Sequence, residues 1–309
     1  MLMVKGRLLA AFVMVALVGI ARFDEQGARA GGTVSPSPAA KYQANNFTPS
    51  WSPDGKRIAY VRLRAGSPDV YLMNADGSHT RNLTRSASGD AFPSWSPDGK
   101  RIAYIRVDAS GVYDIFVIDP ANGKRRRLTL AAQAIGPVWS PNGDMIAFEK
   151  VGEIWVMRAD GTHMRRLTNQ RAYDGNPAWS PDGGQIAFSS NRGGNLAVFT
   201  GFGLWVMDAD GLHQRRLSYG NGEEGAPAWS PDGRRIAFSS TRDGDSEIYT
   251  MAADGKDQRR LTRHRAFDGY PSWSPDGHRI AFLRWHDDMA DVYVMRADGT
   301  HVRRLTHDY

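Results

Sequence analysis

Acidic residues recur at one position of this chain, five residues before a tryptophan. The acids are Asp90, Asp174, Glu224 and Asp268, and the residues two positions after them include Phe92, Asn176 and Tyr270. Carboxylates that gather at one place attract a cation or a basic peptide segment, and aromatic neighbours add contact area. The pattern predicts a binding site for such a partner, with the alternative that each acid only caps its own Asp-Gly turn.

Two of these acids also belong to the one set of side chains suited to acid–base catalysis. The set is Asp268, Glu224, Arg242 and His286. If these groups converge around a pocket, the chain is an enzyme, for instance a lyase or hydrolase on polysaccharide or peptide. If they scatter, binding is favoured. The sequence contains no G-x-S-x-G, H-E-x-x-H or G-x-x-x-x-G-K-[ST] motif, which removes the common hydrolase, zinc-protease and nucleotide routes.

Metal chemistry has little support in the sequence. Asp243, Asp245 and Glu247 alternate as in a calcium loop, but the downstream bidentate glutamate is missing. His79, His163, His213 and His301 stand at the same place in four different repeats, so rotation around a common axis would keep them apart. We expect no cofactor. The alternative is a calcium ion, bound either at Asp243/Asp245/Glu247 or at the mouth of a central channel around which the repeats would be arranged.

A repeat must position all of these residues. Its anchor tryptophans are Trp51, Trp95, Trp139, Trp179, Trp229 and Trp273, at spacings of 44, 44, 40, 50 and 44 residues. A proline precedes each tryptophan by two residues, and Ser-Pro-Asp-Gly follows it, with Asn142 in place of the aspartate in the third unit. Because the recurring residues encode the same unit six times, we interpret them as structural.

The unit from Pro227 to Thr262 illustrates the local structure that the repeat encodes. Ser-Pro-Asp-Gly is a tight turn, because proline presets φ, aspartate tolerates the next position and glycine accepts a positive φ. Short β-branched and aromatic segments flank this turn and a second Asp-Gly turn. Four antiparallel strands in about 43 residues match a propeller blade. The sequence predicts an all-β, six-bladed β-propeller with four antiparallel strands per blade, over residues 45–309.

In such a propeller the tight turns share one face and the irregular loops share the other, where binding residues concentrate. The loop Asn191–Gly203 is longer than its counterparts and carries Arg192 and Phe199. It is either an apolar interaction surface or a long hairpin folded over its own blade. Trp285 and His286 lie in the equivalent loop of the last blade. We predict a protein or peptide partner at this face of a monomeric chain, with a pure scaffold role as a further alternative.

Arginine clusters precede the last strand's Leu-Thr in most units. They are Arg125 to Arg127, Arg165 and Arg166, Arg215 and Arg216, Arg259 and Arg260, and Arg303 and Arg304. Charges on an edge strand discourage aggregation, which is the interpretation that we favour. A basic perimeter that attracts anionic envelope polymer or nucleic acid is the alternative. We expect no nucleic-acid partner, because the net charge of +6 is modest for 309 residues.

The first 44 residues differ from the repeats. Lys5 and Arg7 precede an apolar run from Leu8 to Ala21, which is short for a bilayer span and typical of a secretory signal. Cleavage after Ala30 makes residues 1–30 the signal and 31–44 a flexible linker; cleavage after Ala21 and an uncleaved anchor are the alternatives. We predict a periplasmic or secreted protein without a membrane span after cleavage. With no cysteine, the chain lacks disulfides and thiolate sites.

The repeats resemble the TolB-type β-propeller family. The resemblance rests on PSWSPDGKRIAY with DVYLMNADGSHTRNLT and on PSWSPDGHRIAF with DVYVMRADGTHVRRLT, and it covers about residues 45–309. It implies a six-bladed propeller outside the cytoplasmic membrane whose mouth binds a protein, as TolB binds the lipoprotein Pal. The α/β domain that precedes the TolB propeller has no counterpart in the 44 residues before the first blade. Similar repeats gate prolyl-oligopeptidase-like peptidases, whose hydrolase domain also has no counterpart here.

Overall fold

The structure is a computed structural model that describes residues 45–64, 67–194, 201–219, 222–286 and 289–307. In these ranges the regular elements are β-strands, arranged in six antiparallel sheets of four strands each. Each sheet consists of four strands that are consecutive in the chain, which confirms the predicted six-bladed propeller. No helix in these ranges is long and apolar enough to cross a membrane. The predicted signal and linker lie outside the described residues.

The strands of each blade run from the channel outward. Blades 1 to 3 comprise β1 (Asn45–Trp51), β2 (Arg57–Arg64), β3 (Ser67–Asn74), β4 (Arg81–Asn82), β5 (Gly89–Trp95), β6 (Ile102–Val107), β7 (Tyr113–Ile118), β8 (Arg125–Arg127), β9 (Ala134–Trp139), β10 (Met145–Lys150), β11 (Glu153–Arg158) and β12 (Arg165–Arg166). Blades 4 to 6 comprise β13 (Asp174–Trp179), β14 (Gln185–Ser190), β15 (Gly203–Asp208), β16 (Arg215–Arg216), β17 (Glu224–Trp229), β18 (Arg235–Ser240), β19 (Glu247–Ala252), β20 (Arg259–Arg260), β21 (Phe267–Trp273), β22 (Arg279–His286), β23 (Met289–Arg296) and β24 (Arg303–Arg304). The outermost strands have only two or three residues, which leaves little edge for pairing with another chain.

The Ser-Pro-Asp-Gly turns form because their side chains close them locally. In the first blade Ser52 Oγ donates to Asp54 Oδ1 at 2.6 Å and accepts from the Arg57 amide at 2.9 Å. Gly55 takes the left-handed φ of +66° that closes the turn. The hydrogen bond from Ser52 holds the pKa of Asp54 below its usual value. These turns and the Asp-Gly turns between third and fourth strands lie at one end of the strands, which we call the turn face.

The opposite end of the strands is the loop face. It carries the connections between second and third strands and those that lead from one blade to the next. In every blade the register of the inner strand shifts near its proline, for example between Phe47 and Ser50. The residue before each proline has a φ between 44° and 60°. Each inner strand is therefore bulged where it lines the channel.

Aromatic side chains fill the sheets and the spaces between them. The second strand of each blade contributes one fully buried ring, and these rings are Tyr60, Tyr104, Phe148, Phe188, Phe238 and Phe282. Tryptophans of the inner strands pack against the neighbouring blade, as where the Arg57 guanidinium lies 5.0 Å from the Trp95 ring. The tryptophan thus packs between sheets.

The ring closes by side-by-side packing of the first and last blades. The Ala290 amide of blade 6 donates to Asn45 Oδ1 of blade 1 at 2.7 Å. Arg279 lies over the Trp51 ring at 4.6 Å, which repeats the contact between other neighbouring blades. Because each blade keeps its own four strands, the seam depends on side-chain packing and not on strand exchange.

Candidate functional site

The bulged inner strands line a central channel whose cavity is about 330 Å³. Each blade contributes the residue before its proline to this cavity, and the six are Thr48, Phe92, Gly136, Asn176, Ala226 and Tyr270. All six have positive φ values, which is unusual for bulky residues such as Phe92 and Tyr270. Phe92, Asn176 and Tyr270 are half-buried here. The sequence prediction that they face a common opening agrees with this placement.

The four predicted acids precede the cavity-lining residues of their strands by two positions, and each is buried against an arginine of its own blade. Asp90 accepts from Arg106 Nε at 2.7 Å and from Nη2 at 2.8 Å, and Asp268 accepts from Arg284 in the same bidentate way at 2.7 Å. Burial raises the pKa of Asp90 and Asp268 despite the arginines. The carboxylates therefore bind across the sheet and not to their own Asp-Gly turns.

The other two acids each pair with an arginine that lies two residues beyond the serine directly opposite the acid. Asp174 Oδ2 lies 2.6 Å from Arg192 Nη2, and Glu224 is hydrogen-bonded to Arg242. Arg192 stacks over Trp205 at 4.9 Å, and the other three guanidinium groups also stack on aromatic rings. Arg192 and Arg242 thus share the site with the acids. Four of the six blades thus carry a buried ion pair near the mouth, and the binding of a partner there stays a prediction.

The predicted contacts in the last blade lie at the seam of the ring. Trp285 packs against Phe47 of the first blade with ring centroids 5.7 Å apart. His286 Nε2 lies 3.9 Å from Asp291 Oδ2. Trp285 also belongs to an apolar cluster that includes Phe92, Ile135 and Tyr270 near the mouth. The prediction that both residues lie in a loop is wrong, because strand β22 extends through His286 and they end it at the loop face.

The set proposed for catalysis does not converge. Glu224 pairs with Arg242 in blade 5, whereas Asp268 pairs with Arg284 in blade 6. His286 approaches Asp291, on the third strand of its own blade. The four groups thus lie in three separate pairs, and the choice between binding and catalysis stays a prediction.

Two of the three proposed calcium ligands share an arginine. Asp243 lies 3.3 Å from Arg260 Nη1, and Glu247 lies 2.6 Å from Arg260 Nη2. Glu247 is buried and also accepts from the Thr262 hydroxyl at 2.5 Å. In the ranges that the structure describes, no three acidic or histidine side chains group as metal ligands. The absence of a cofactor stays a prediction.

The recurring histidines have a backbone explanation. His79, His163, His213 and His301 take φ values between 50° and 55° beside the Asp-Gly turns. Histidine is one of the residue types that accept the left-handed region more readily. They lie in four different blades, as the sequence analysis predicts.

The long loop lies only partly within the described residues. Phe199 belongs to residues 195–200, which are outside them. Phe202, near the end of the loop, packs edge-on against Tyr173 with ring centroids 5.9 Å apart. The Gly201 and Phe202 amides donate to Glu223 of the connection to blade 5. This end of the loop is therefore held beside Tyr173.

The arginine clusters join the blades to each other. Arg126, Arg165 and Arg303 each donate to a main-chain carbonyl of the next blade's Asp-Gly turn, at 3.0 to 3.2 Å. Arg304 binds Asp291 of its own blade at 2.8 Å. These contacts give the clusters a structural role beyond edge protection.

Sequence reasoning missed Glu149, the buried acid of blade 3. The residue is only 4% exposed, and its carboxyl accepts a hydrogen bond from the Tyr173 hydroxyl. A Cβ at Gly175 would lie 2.5 Å from Glu149 Oε2, so glycine leaves room for the carboxylate. Burial, together with the nearby charge of Asp174, raises the pKa of Glu149 to about 7. Alignment of the six repeats gives the signal, because uncharged residues occupy this position in the other five.

Glu149 lines a pocket of about 600 Å³ on the loop face, between blades 2, 3 and 4. The walls include Tyr113, Ile135, Val151 and Tyr173, and Arg171 lies exposed at the rim. The pocket therefore has mainly apolar walls and an acid at its base.

Large hydrophobic side chains project from the loop face around these features. Leu130 is 79% exposed, Val151 78% and Tyr219 76%. On the turn face Leu212 is 59% exposed and Val302 40%. The most exposed apolar side chains among the described residues therefore lie on the loop face.

Together these features define a six-bladed propeller with a rigid, ion-paired mouth and an apolar, irregular loop face. A family model described as the TolB β-propeller domain matches residues 32–153 and 203–309, and the chain belongs to this family. A search of curated proteins found no match.

Solved structures share the fold. A protein from Agrobacterium tumefaciens assigned as a TolB is 26% identical with a TM-score of 0.65, covering 74% of this chain and 84% of that one. TolB from Acinetobacter baumannii is 24% identical with a TM-score of 0.69, covering 79% of this chain and 62% of that one. Oligogalacturonate lyase from Vibrio parahaemolyticus is 13% identical with a TM-score of 0.53, covering 82% of this chain and 89% of that one.

Proposed function

We propose that this chain is a non-enzymatic, exported propeller that binds a protein or peptide partner at its loop face. The observation that carries the proposal is the concentration of exposed Leu130, Val151 and Tyr219 on this face. Exposed apolar patches on a soluble scaffold mark interaction surfaces. The family membership supports a partner-binding propeller, and the basic start and apolar run of residues 1–21 support export.

The rigid mouth supports binding by a preformed surface. Four buried ion pairs hold the end of a second strand, or the residues just after it, to the first strand of the blade, so the loops are displayed on a frame that needs little ordering. The rival hypothesis of a lyase or hydrolase requires convergent acid–base groups. Their separation into three pairs supports the binding hypothesis.

The test compares charge insertion on the two faces. In the double variant Leu130→Asp/Val151→Asp, two exposed apolar groups of the loop face become charged. Val151 has a φ of 53°, where aspartate is accommodated better than a β-branched residue, so the fold is retained. Leu212→Asp/Val302→Asp makes the matched change on the turn face.

The readout is recovery of partner protein from cell-envelope extract by the mature domain, which is residues 31–309 after removal of the predicted signal. Quantitative mass spectrometry measures it. We expect the loop-face variant to lose at least about tenfold of the recovered partner, since hot-spot residues typically contribute more than 1.4 kcal/mol. The turn-face variant should recover as much as the parent. Equal recovery by both variants, with equal melting temperatures, would contradict the proposal.

A further inference from the structure

Glu149 occupies a core position of the blade. The corresponding residues of the other blades are Val61, Ile105, Ser189, Ser239 and Leu283, each paired at the same place in the sheet. Val61 and Leu283 are fully buried there. A carboxylate at such a position costs several kcal/mol of desolvation unless a partner compensates it. Packing alone thus gives no reason for an acid in blade 3.

The buried carboxylate lacks the cation that the other buried acids have. Asp90, Asp174, Glu224 and Asp268 each bind an arginine, whereas Glu149 binds the neutral hydroxyl of Tyr173. No lysine or arginine of the described residues forms an ion pair with it. The next residue, Lys150, instead lies over the Trp155 ring at 4.9 Å.

The groups that face Glu149 make its surroundings negative. Asp174 on β13 raises its pKa, and Tyr173 and Tyr270 are the other titratable groups that interact with it. Arg192, the nearby guanidinium of blade 4, is bound to Asp174. Arg171 is exposed at the rim of the pocket. A positive group at the base of the pocket would therefore be attracted.

The walls suit a cation that is carried on an apolar stem. Tyr113 and Tyr173 offer aromatic surfaces, which attract ammonium groups, and Ile135 and Val151 are aliphatic. Val151 is a β-branched residue at a φ of 53° in a two-residue turn, an unfavourable conformation that marks the rim as specialised. A pocket of about 600 Å³ easily holds a lysine side chain.

We propose that the pocket above Glu149 binds a primary ammonium group on an apolar stem, paired with the Glu149 carboxylate. Because the pocket lies on the loop face, the group belongs to a lysine of the bound partner if the proposed function holds, and to a free alkylamine otherwise. Pairing with the ammonium group supplies the cationic partner that Glu149 lacks, and it releases any proton that the carboxyl holds.

The first experiment is calorimetric titration of the mature domain with n-butylammonium chloride, with 1-butanol as the uncharged probe. We expect saturable binding of butylammonium, about tenfold tighter at pH 8 than at pH 6, because the carboxylate fraction rises about tenfold around a pKa of about 7. Proton release should make the heat depend on the ionisation enthalpy of the buffer. Butanol should not bind.

Three variants test the assignment. Glu149→Gln keeps the shape, and Glu149→Leu copies the residue of blade 6, so at least one of them folds. Both should weaken butylammonium binding at least about tenfold. Asp245→Asn removes an exposed carboxylate of the same face and should bind as the parent does. Parent-like binding by Glu149→Gln or Glu149→Leu, or equal affinity for butanol, would overturn the proposal.

A second titration identifies the source of the ammonium group. Acetyl-lysine methylamide should compete with butylammonium if a partner's lysine is the ligand, and its Nε-acetylated form should not. Butylammonium binding without this competition assigns the site to free amines. If the parent recovers a partner but does not bind butylammonium, the ammonium site is wrong and the proposed function stands. Butylammonium binding without any recovered partner contradicts the proposed function alone.

Discussion

At the scale of single residues, burial decides what an acid does in this protein. Asp90 and Asp268 are as buried as Glu149, but each has a bidentate arginine partner. Glu149 has a tyrosine hydroxyl instead, and its pKa is raised to about 7. The same chemical group is therefore structural in one blade and titratable near neutral pH in another.

Glu149 should make the stability of the protein fall as the pH rises. Its pKa is raised from 4.5 in the unfolded chain to about 7 in the native state, so between these values the native state holds a proton that the unfolded chain has lost. The free energy of unfolding should decrease by about 3 kcal/mol from pH 4.5 to pH 8 through this group. Glu149→Leu removes that loss.

Urea denaturation of the parent and of Glu149→Leu at pH 5, 6, 7 and 8 measures the effect. We expect the advantage of the leucine variant to grow by about 2 to 3 kcal/mol between pH 5 and pH 8. A difference between the two proteins that stays constant with pH would show that the carboxyl is not buried in the native state.

At the scale of elements, ion pairs join the first and second strands of a blade. Asp268 and Arg284 are directly opposite each other on β21 and β22, and both are buried. Breaking such a pair leaves an uncompensated buried charge. The pair therefore holds the loop-face end of the blade together where the bulge interrupts the ladder.

Asp268→Asn should destabilise the protein by about 3 kcal/mol, because Arg284 loses its charged partner in a buried place. Asp276→Asn is the matched control in the same blade, since Asn142 already occupies that turn position in blade 3 and accepts from Ser140 Oγ at 2.6 Å. It should change the stability by less than about 1 kcal/mol.

The double variant Asp268→Leu/Arg284→Met should recover most of the loss. If Asp268→Asn lost partner binding at unchanged stability, Asp268 would contact the partner directly and would not serve mainly to stabilise the blade.

The sequence predicts the turns and strands well because their causes are local. Ser52, Asp54 and Gly55 close their turn without help from another blade. The register is the same in these four blades, but the residue opposite the acid is arginine in blades 2 and 6 and serine in blades 4 and 5. Asp90 lies opposite Arg106, whereas Asp174 lies opposite Ser190 and reaches Arg192. No motif shows these pairings.

Glu149 escapes sequence reasoning for a related reason. It lies inside an apolar strand segment, and a single acid there is recognised as unusual only when the six repeats are aligned. The pocket beside it also needs residues from three blades, among them Tyr113 and Tyr173. Only the closed ring brings these elements together, so the candidate ligand site could not be predicted from the motifs.

At the scale of the whole molecule, closure of the ring depends on the seam between blades 1 and 6. Here Arg303 donates to the Asp76 carbonyl, and Gly55 packs on Pro275, as the corresponding residues do at other seams. Because no strand crosses the seam, its stability comes from contacts that side chains make across it. A site that needs several blades, such as the mouth, requires this seam to hold.

Three glycine-to-alanine variants test the seam in solution. Gly77 has a φ of +92°, and a Cβ there would lie 2.6 Å from the Leu305 carbonyl oxygen across the closing seam. Gly161 has a φ of +90° and the same 2.6 Å approach to Leu128 across an interior seam, whereas Gly123 has a φ of +73° and nothing within 4 Å. All three alanines incur the positive-φ penalty of about 1 kcal/mol. Gly77→Ala and Gly161→Ala should cost about 1 to 3 kcal/mol more than Gly123→Ala, because a backbone carbonyl must move. Urea denaturation gives the three values.

A ring that is open in solution would leave the Gly161→Ala cost unchanged but reduce that of Gly77→Ala to the level of Gly123→Ala, because the Leu305 carbonyl would no longer face Gly77.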